Sequence, residues 1–368
     1  MIPVNTPLLN GNEKKYLNEC IDTGWISSEG PFVERFEKEM AAYVGREFAT
    51  ACANGSAALD IAVKALELQK GDEVIMPSFT IISCAQSLVM QGISPVLIDS
   101  DVHTFNMNVE EIEAKITPKT KAIMMVHIYG LTVDIDPILA LAKKYNLKII
   151  EDAAQMHGQE YKGKKCGSFG DISIFSFYPN KHITTGEGGM VLTNDEHLDK
   201  RAKSLRNLCF SSNRFVHEEL GWNYRMTNMQ AALGVAQLEQ IDAIVHKKRV
   251  IGNRYNELLK DINTINLPIP KTSYCENIYW VYAITLKDEY KKSAKEIMDE
   301  LAQYKIGTRP FFYPMHQQPV FNKMGLFLDT HLPNSEKLYE QGFYIPSGLA
   351  LTQEDIEEVS NILHKVLA

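Results

Sequence analysis

A chain of 368 residues with 45% hydrophobic content is long enough for one large core and a smaller second one, and too apolar to be disordered. Its formal net charge of −8, with acids and bases interleaved, offers no basic stripe for nucleic acid and no polybasic membrane patch, so an anionic substrate needs local donors. The six cysteines are widely spread with no C-x-x-C pair, and MIPVNTPLLNGNEKK lacks the apolar stretch of a secretion signal, which together predict a cytoplasmic protein with reduced thiols and neither disulfide nor zinc.

Residues 12–44 predict two helices, with Tyr16, Leu17 and Ile21, then Phe32, Phe36 and Met40, at helical spacing around Gly30-Pro31. In the intervening TGWISSEGP, Trp25 and Ile26 stand among polar residues. They read as core plugs, with contact to a partner chain as the alternative. Phe48–Ala53 leads into Asn54-Gly55-Ser56 and a helix carrying Leu59, Ile61, Ala62, Ala65 and Leu66. Free amides and a hydroxyl at the positive end of that helix make a natural phosphate cradle, and an ordinary helix cap is the competing reading.

From Asp72 to Asp152 strands (Glu73–Met76, Pro95–Ile98, Ala122–Val126, Lys148–Glu151) alternate with helices (Ile82–Met90, Val109–Lys115, Asp136–Tyr145). That alternation predicts an α/β fold with a mostly parallel central sheet covered on both faces. Ligands of such sheets sit at the carboxyl ends of the strands, where Asn54, Pro77, Asp99, His127 and Asp152 fall. Strands at Ile172–Phe177 and Gly188–Thr193 follow, then a helix capped by Asn194-Asp195 and a donor-rich irregular stretch over 207–227. One long or broken helix, Met229–Leu259, joins two units. Residues 1–245 are expected to form the large one and 246–368 a smaller α+β unit, with a strand at Tyr279–Leu286 and capping boxes at Ser293–Glu296 and Thr352–Asp355.

The chemistry concentrates between Ile149 and Val191. Asp152 ends a buried strand, Gln155 and His157 follow on the next turn, and Ser176 and Lys181 lie in FSFYPNKHITTGEGG. A carboxylate and an amine so disposed are what an aldehyde cofactor needs, and pyridoxal 5'-phosphate is the one this set suggests. Asp152 would keep the pyridine nitrogen protonated, Gln155 would reach the ring hydroxyl, and Gly55, Ser56 and Ser176 would bind the phosphate. Lys181 would form the Schiff base and then move the proton. Singly, each has an ordinary reading as a cap, a strand serine or a solvated lysine. His157 reads as a hydrogen-bonded buried histidine, with a substrate contact as the alternative and no partner at metal spacing. Separate ordinary readings leave unexplained why acid, serine and lysine share one α/β unit with a helix-end phosphate site.

EDAAQMHG (151–158), GSFGDISIFSFYPNKHITTGEGGMV (167–191) and GWNYRMTNMQAALG (221–234) closely resemble the DegT/StrS-type sugar-nucleotide aminotransferases, and TGWISSEGPFVERFE and RPFFYPMH extend the resemblance over essentially the whole chain. The resemblance implies the aspartate-aminotransferase fold (type I) and a homodimer with active sites at the subunit interface. It also makes Lys181 the Schiff-base lysine, Asp152 the ring-nitrogen partner, Gln155 the ring-hydroxyl contact and Ser176 a phosphate ligand, with Asn223 a phosphate ligand donated by the other subunit. Dehydrating relatives carry His at the lysine position, so Lys181 favours transamination. Where many relatives place Tyr or Trp against the cofactor ring, this chain has Ile81, which leaves the ring face to Phe79 or to an aliphatic contact.

Within the family, KHITTGEGGM and TRPFFYPMH resemble the GDP-perosamine synthases, which aminate the 4-keto group of GDP-4-keto-6-deoxymannose with L-glutamate as donor. Enzymes acting on dTDP-4-keto-6-deoxyglucose look similar, whereas 3-amino-sugar relatives carry a KNLGA-like sequence after the lysine. A cofactor-dependent sugar dehydratase and a non-catalytic regulatory homologue are the remaining alternatives. Candidate substrate contacts are Arg309, Tyr313 and His316, with Trp25, Ser27 and Ser28 of the N-terminal loop.

Overall fold

The computed structural model describes residues 1–213 and 215–367. Helices α1 (Glu13–Thr23) and α2 (Pro31–Val44), the second opened by Pro31 in its first turn, precede a run of strands and helices. In chain order these are β1 (Phe48–Cys52), α3 (Gly55–Ala65), β2 (Glu73–Pro77), α4 (Ile82–Val89), β3 (Ser94–Ile98), β4 (Thr120–Val126), α5 (Ile135–Tyr145), β5 (Lys148–Asp152), β6 (Glu160–Tyr161), β7 (Lys164–Lys165), β8 (Ile172–Ser176) and β9 (Gly189–Thr193). Seven of the strands form one sheet in the order β1-β9-β8-β5-β4-β2-β3, while β6 and β7 make a separate minimal hairpin. Every neighbouring pair is parallel except the two that β9 makes, so β9 alone runs against the rest. Apolar side chains cover both faces of this sheet, as the uninterrupted runs of β4 and β5 require.

The helix expected over Val109–Lys115 is instead two 3₁₀ turns, Val109–Glu111 and Glu113–Lys115. Seven residues are too few to nucleate a cooperative α-helix in isolation, and Asn108 spends its side chain on the Glu110 N–H.

Helix α6 (Glu196–Arg206) is capped by Asp195, which accepts from the amides of His197 and Leu198. Then α7 (Asn228–Leu238) and α8 (Ile241–Leu259) form a broken pair, the first opened by a Thr227–Gln230 capping box. Helix α8 runs through both units. Its Ile241, Ile244 and Val245 pack with α2 and α7, whereas Ile251, Tyr255 and Leu259 join the second core.

The second unit comprises β10 (Ile265–Asn266), β11 (Tyr282–Leu286), α9 (Ala294–Gln303), β12 (Arg309–Pro310), α10 (Pro319–Lys323), α11 (Pro333–Gln341), β13 (Gly342–Ile345) and α12 (Gln353–Val366), with the four strands antiparallel in the order β10-β11-β13-β12. Elements β10, β11, α9, β13 and α12 build its core, whereas Phe321 of α10 and Leu338 of α11 pack into the core of the large sheet. Capping boxes open α9 at Ser293 and α12 at Thr352. The strand expected from Tyr279 starts at Tyr282, because Tyr279 is left-handed (φ 47°) and its amide is tied back to the Asn277 side chain. The N-terminus also departs from expectation: Ile2 pairs with Ile306 and packs in the second core.

Two polar latches seat this second unit on the carboxyl end of the large sheet. Asp99, just past β3, accepts from the amides of Asn334 (3.0 Å) and Ser335 (2.8 Å) at the start of α11. His316 joins the Ser78 hydroxyl (2.8 Å) to Glu336 (2.9 Å). All six cysteines are free and buried, and among the described residues no helix is long and apolar enough to cross a membrane.

Candidate active site

Between β8 and β9 the chain makes a closed loop. Phe177 N–H donates to the Gly188 carbonyl (2.8 Å), and the Phe177 carbonyl accepts from the Thr185 amide (3.0 Å) and the Thr184 hydroxyl (2.8 Å). The threonines of KHITTGEGG thus stand in for backbone partners that an irregular loop lacks. Lys181 projects from this loop into a cavity of about 560 Å³ at the carboxyl ends of β1, β2, β5 and β8.

Asp152 lies at the cavity wall, buried, where its Oδ1 accepts from the Ala154 amide (3.0 Å) and its Oδ2 from the Cys84 thiol (3.2 Å). Burial pushes the Asp152 carboxyl up, and the two hydrogen bonds and Lys181 oppose it. Burial pushes the Lys181 amine down to about 7, against the attraction of Asp152. An amine that is neutral near neutral pH is a competent nucleophile. Gln155 is fixed through its carbonyl by the Tyr129 amide (2.6 Å), which leaves its NH₂ as the end with hydrogen-bonding capacity for a ligand.

Two helices begin at the cavity. Asn54 caps α3, and Ser56 in its first turn lies 2.7 Å from Ser83 in the first turn of α4, hydroxyl to hydroxyl. A Cβ on Gly55 would stand 2.7 Å from the Cβ of Ser176, so only glycine lets α3 start this close to the end of β8. These residues fit pyridoxal phosphate by donor set: amides and hydroxyls at two helix starts for a phosphate, a buried carboxylate for a protonated ring nitrogen, and an amine for the aldehyde.

The structure brings Gly55, Ser56, Asp152, Gln155, Ser176 and Lys181 together in this cavity and leaves other candidates outside it. His157 is fully buried behind it, against Phe175 and Phe177, so it is not placed to touch a substrate. Among the described residues neither of its ring nitrogens has a hydrogen-bond partner of good geometry, although the Ser176 backbone lies near, and burial with neighbouring His182 and Lys181 holds it neutral. His316 is consumed by the Ser78–Glu336 latch. Tyr313 packs edge-on against Tyr339. Arg309 lines a smaller recess that shares Tyr178, Asn180, Trp280 and Tyr344 with the cavity. Trp25 and Ile26 are about half exposed rather than core plugs (50% and 52%), and Ser27 and Ser28 lie with them away from the cavity. Asn223 is exposed and likewise outside it.

Of the ring-face candidates, Phe79 is fully buried in an aromatic cluster with Tyr129, Phe311 and Phe312, whereas Ile81 lines the cavity. Sequence reasoning missed Ser83, Cys84 and, from the second unit, Trp280, Phe312 and Tyr344. Ser83 had the same signal as Ser56, a hydroxyl in the first helical turn after a parallel strand. Trp280 had no local signal. A buried trio, His127, Glu151 and Cys166, has ligand atoms close together, but Glu151 accepts from the amides of Gly167 and Phe169 as well as facing His127, whose other nitrogen accepts from Val133.

Comparison with known proteins gives the family. The DegT/DnrJ/EryC1/StrS aminotransferase family matches residues 7–364. A GDP-perosamine synthase of Caulobacter vibrioides is 42% identical, covering 100% of this chain and 98% of that protein, and one of Escherichia coli O157:H7 is 42% identical over 96% and 95%. Among solved structures, an aminotransferase from Psychrobacter cryohalolentis superposes with a TM-score of 0.92 at 31% identity, covering 98% of each chain. The Helicobacter pylori aminotransferase involved in pseudoaminic acid biosynthesis superposes with a TM-score of 0.94 at 25% identity, covering 100% and 99%. The chain belongs to the DegT/DnrJ/EryC1/StrS family and is a pyridoxal phosphate-dependent sugar aminotransferase.

Proposed function

We propose that this enzyme moves the amino group of L-glutamate to the 4-keto carbon of a nucleotide-linked 4-keto-6-deoxysugar, with GDP-4-keto-6-deoxymannose as acceptor and GDP-perosamine as product. The observation that carries the acceptor is the 42% identity, end to end, with GDP-perosamine synthases. When bound, pyridoxal phosphate supplies the electron sink and carries the amino group from donor to acceptor. The chain's own residues do the rest. Asp152 holds the ring nitrogen protonated, Gln155 hydrogen-bonds the ring hydroxyl, and Gly55, Ser56, Ser83 and Ser176 hold the phosphate. The Lys181 Nζ takes and returns the proton at the substrate carbon. Trp280, Phe312 and Tyr344 wall the cavity and exclude water, and Arg309 meets an anionic group of the substrate from the adjoining recess.

The protein acts as a homodimer in which Asn223 completes the phosphate site of the partner. Its exposure outside this chain's own cavity supports that reading, as do the exposed apolar Trp25, Ile26 and Leu220. Residues 1–245 make the cofactor unit and 246–368 the covering unit, with the first residues of the chain packed on the latter.

Incubation with GDP- and dTDP-4-keto-6-deoxysugars and glutamate, followed by mass analysis, tests the reading. Amination of the GDP sugar is expected, and exclusive amination of the dTDP sugar overturns the acceptor. Lys181→Ala is expected to lose both the near-visible absorbance of the bound cofactor and turnover.

A further inference from the structure

The Lys181 Nζ stands over the face of Trp280, 3.8 Å from the ring centroid. Trp280 comes from the second unit, just before β11, and is 4% exposed. It is held from two sides. Its indole N–H donates to the carbonyl of Asn180, the residue before Lys181, at 2.7 Å. Its own carbonyl accepts from Lys248 Nζ at 3.0 Å, and the same amine donates to the Ser347 carbonyl at 2.5 Å. Lys248 is itself buried on α8, bonded to two neutral carbonyls, and burial pushes it down to about 7. A long cationic side chain sunk in a core is costly, so its two bonds need a purpose. Both run to the segment that carries Trp280 and to the strand end beside it.

An aromatic face attracts an ammonium and has little to offer a neutral amine. The groups that face Lys181 are Asp152 from β5, Cys84 from α4, the buried neutral His157 from the turn after β5, His182 from its own loop, and the Trp280 ring with Lys248 behind it. Of these the ring is the contact that can take the protonated amine without forming an ion pair with Asp152, which the ring nitrogen of the cofactor requires.

We propose that Trp280 is a positioning residue for Lys181: its face seats the lysine ammonium whenever that amine is not bonded to the cofactor, and Lys248 and Asn180 fix the ring for this purpose. The inference rests on Lys181 being the cofactor lysine. It gives the amine two defined places, one on the cofactor and one on Trp280, so the proton it carries stays beside the reacting carbon instead of escaping to solvent.

The test uses the cofactor-free protein. Pyridoxal phosphate is added across a pH series and the rise of near-visible absorbance is timed, because the rate follows the fraction of Lys181 that is neutral. With the ring gone, the neutral amine is favoured. Trp280→Leu is expected to move the midpoint to lower pH by roughly half a pH unit to one, with Trp280→Phe in between. An unchanged or higher midpoint in Trp280→Leu overturns the proposal, and if that variant does not fold, Trp280→Phe against the unaltered protein decides by the same criterion. Lys181→Ala is the control: capture that persists in it removes the premise about Lys181, whereas capture lost in Lys181→Ala with an unmoved midpoint in the Trp280 variants removes only the inference.

Discussion

The Cys84 thiol lies 3.2 Å from Oδ2 of Asp152 and donates to it, so a side chain in the first turn of α4 holds the carboxylate that ends β5. This bond favours the ionised form against burial, which pushes the carboxyl up. Cys84→Ala removes it and lets the Asp152 carboxyl rise further, so the carboxylate is lost sooner as pH falls. A lost hydrogen bond to a buried charge costs about 1–3 kcal/mol, and cofactor affinity is expected to drop by about tenfold, more at pH 6 than at pH 8. Cys84→Ser, which keeps a donor, is expected to recover most of it. Titration of the cofactor at both pH values checks this, and an equal loss at each would sink the explanation.

Gly55→Ala places a methyl group 2.7 Å from the Cβ of Ser176. Because both atoms sit on rigid elements, relief requires the start of α3 to move away from β8, which spreads the phosphate cradle. Such overpacking typically costs about 1–3 kcal/mol, so cofactor affinity is expected to fall by tenfold or more. The circular-dichroism spectrum is expected to be unchanged. Retained affinity would mean that the phosphate does not sit there.

Lys248 predicts a stability slope. Its folded value is lowered to about 7 from 10.5, so between these values the unfolded chain holds a proton that the folded chain does not. Stability therefore rises with pH across that window, by at most about 1.4 kcal/mol per pH unit from this group. Lys248→Met removes the contribution. Urea unfolding of the cofactor-free protein at a series of pH values between about 7 and 10 is expected to show a shallower rise in the variant. Parallel curves would show that Lys248 keeps its proton in the fold.

Subunit mixing tests the shared site. Lys181→Ala and Asn223→Ala homodimers are each expected to be impaired. In a mixed dimer, one site has Lys181 from one subunit and Asn223 from the other, and is whole. Refolding the two variants together is expected to restore about a quarter of the unaltered activity, since half of the dimers are mixed and each has one intact site. No recovery on mixing means that Asn223 serves its own chain or no site at all.

What was legible in the sequence was whatever a local pattern encodes. Apolar runs and capping residues gave the strands of the large sheet, the α9 and α12 caps and the chemistry at the carboxyl strand ends, where Asp152 and Ser176 do lie. The loop that carries Lys181 was legible because Gly and Thr residues cluster where a loop must satisfy itself. The antiparallel course of β9 was not, since a strand's apolar pattern reads the same in both directions. Nor were Trp280, the two latches and the place of Ile2, each of which depends on residues far apart in the chain that meet only when the second unit docks. The surroundings of His157 and His316 were not legible either, since what encloses a histidine depends on residues far apart in the chain. One is walled in by Phe175 and Phe177, the other tied to Ser78 and Glu336.

The reversed course of β9 determines how Lys181 is delivered to the cavity. A parallel successor to β8 would need a crossover to the far end of the sheet, and Lys181 would then ride on a long excursion. Because β9 turns straight back, the lysine loop is moored at both ends to adjacent strands, and the Phe177–Gly188 bond ties the moorings together. The amine is thus set in place as the sheet folds, and a cofactor held there would meet a finished socket with little chain left to order.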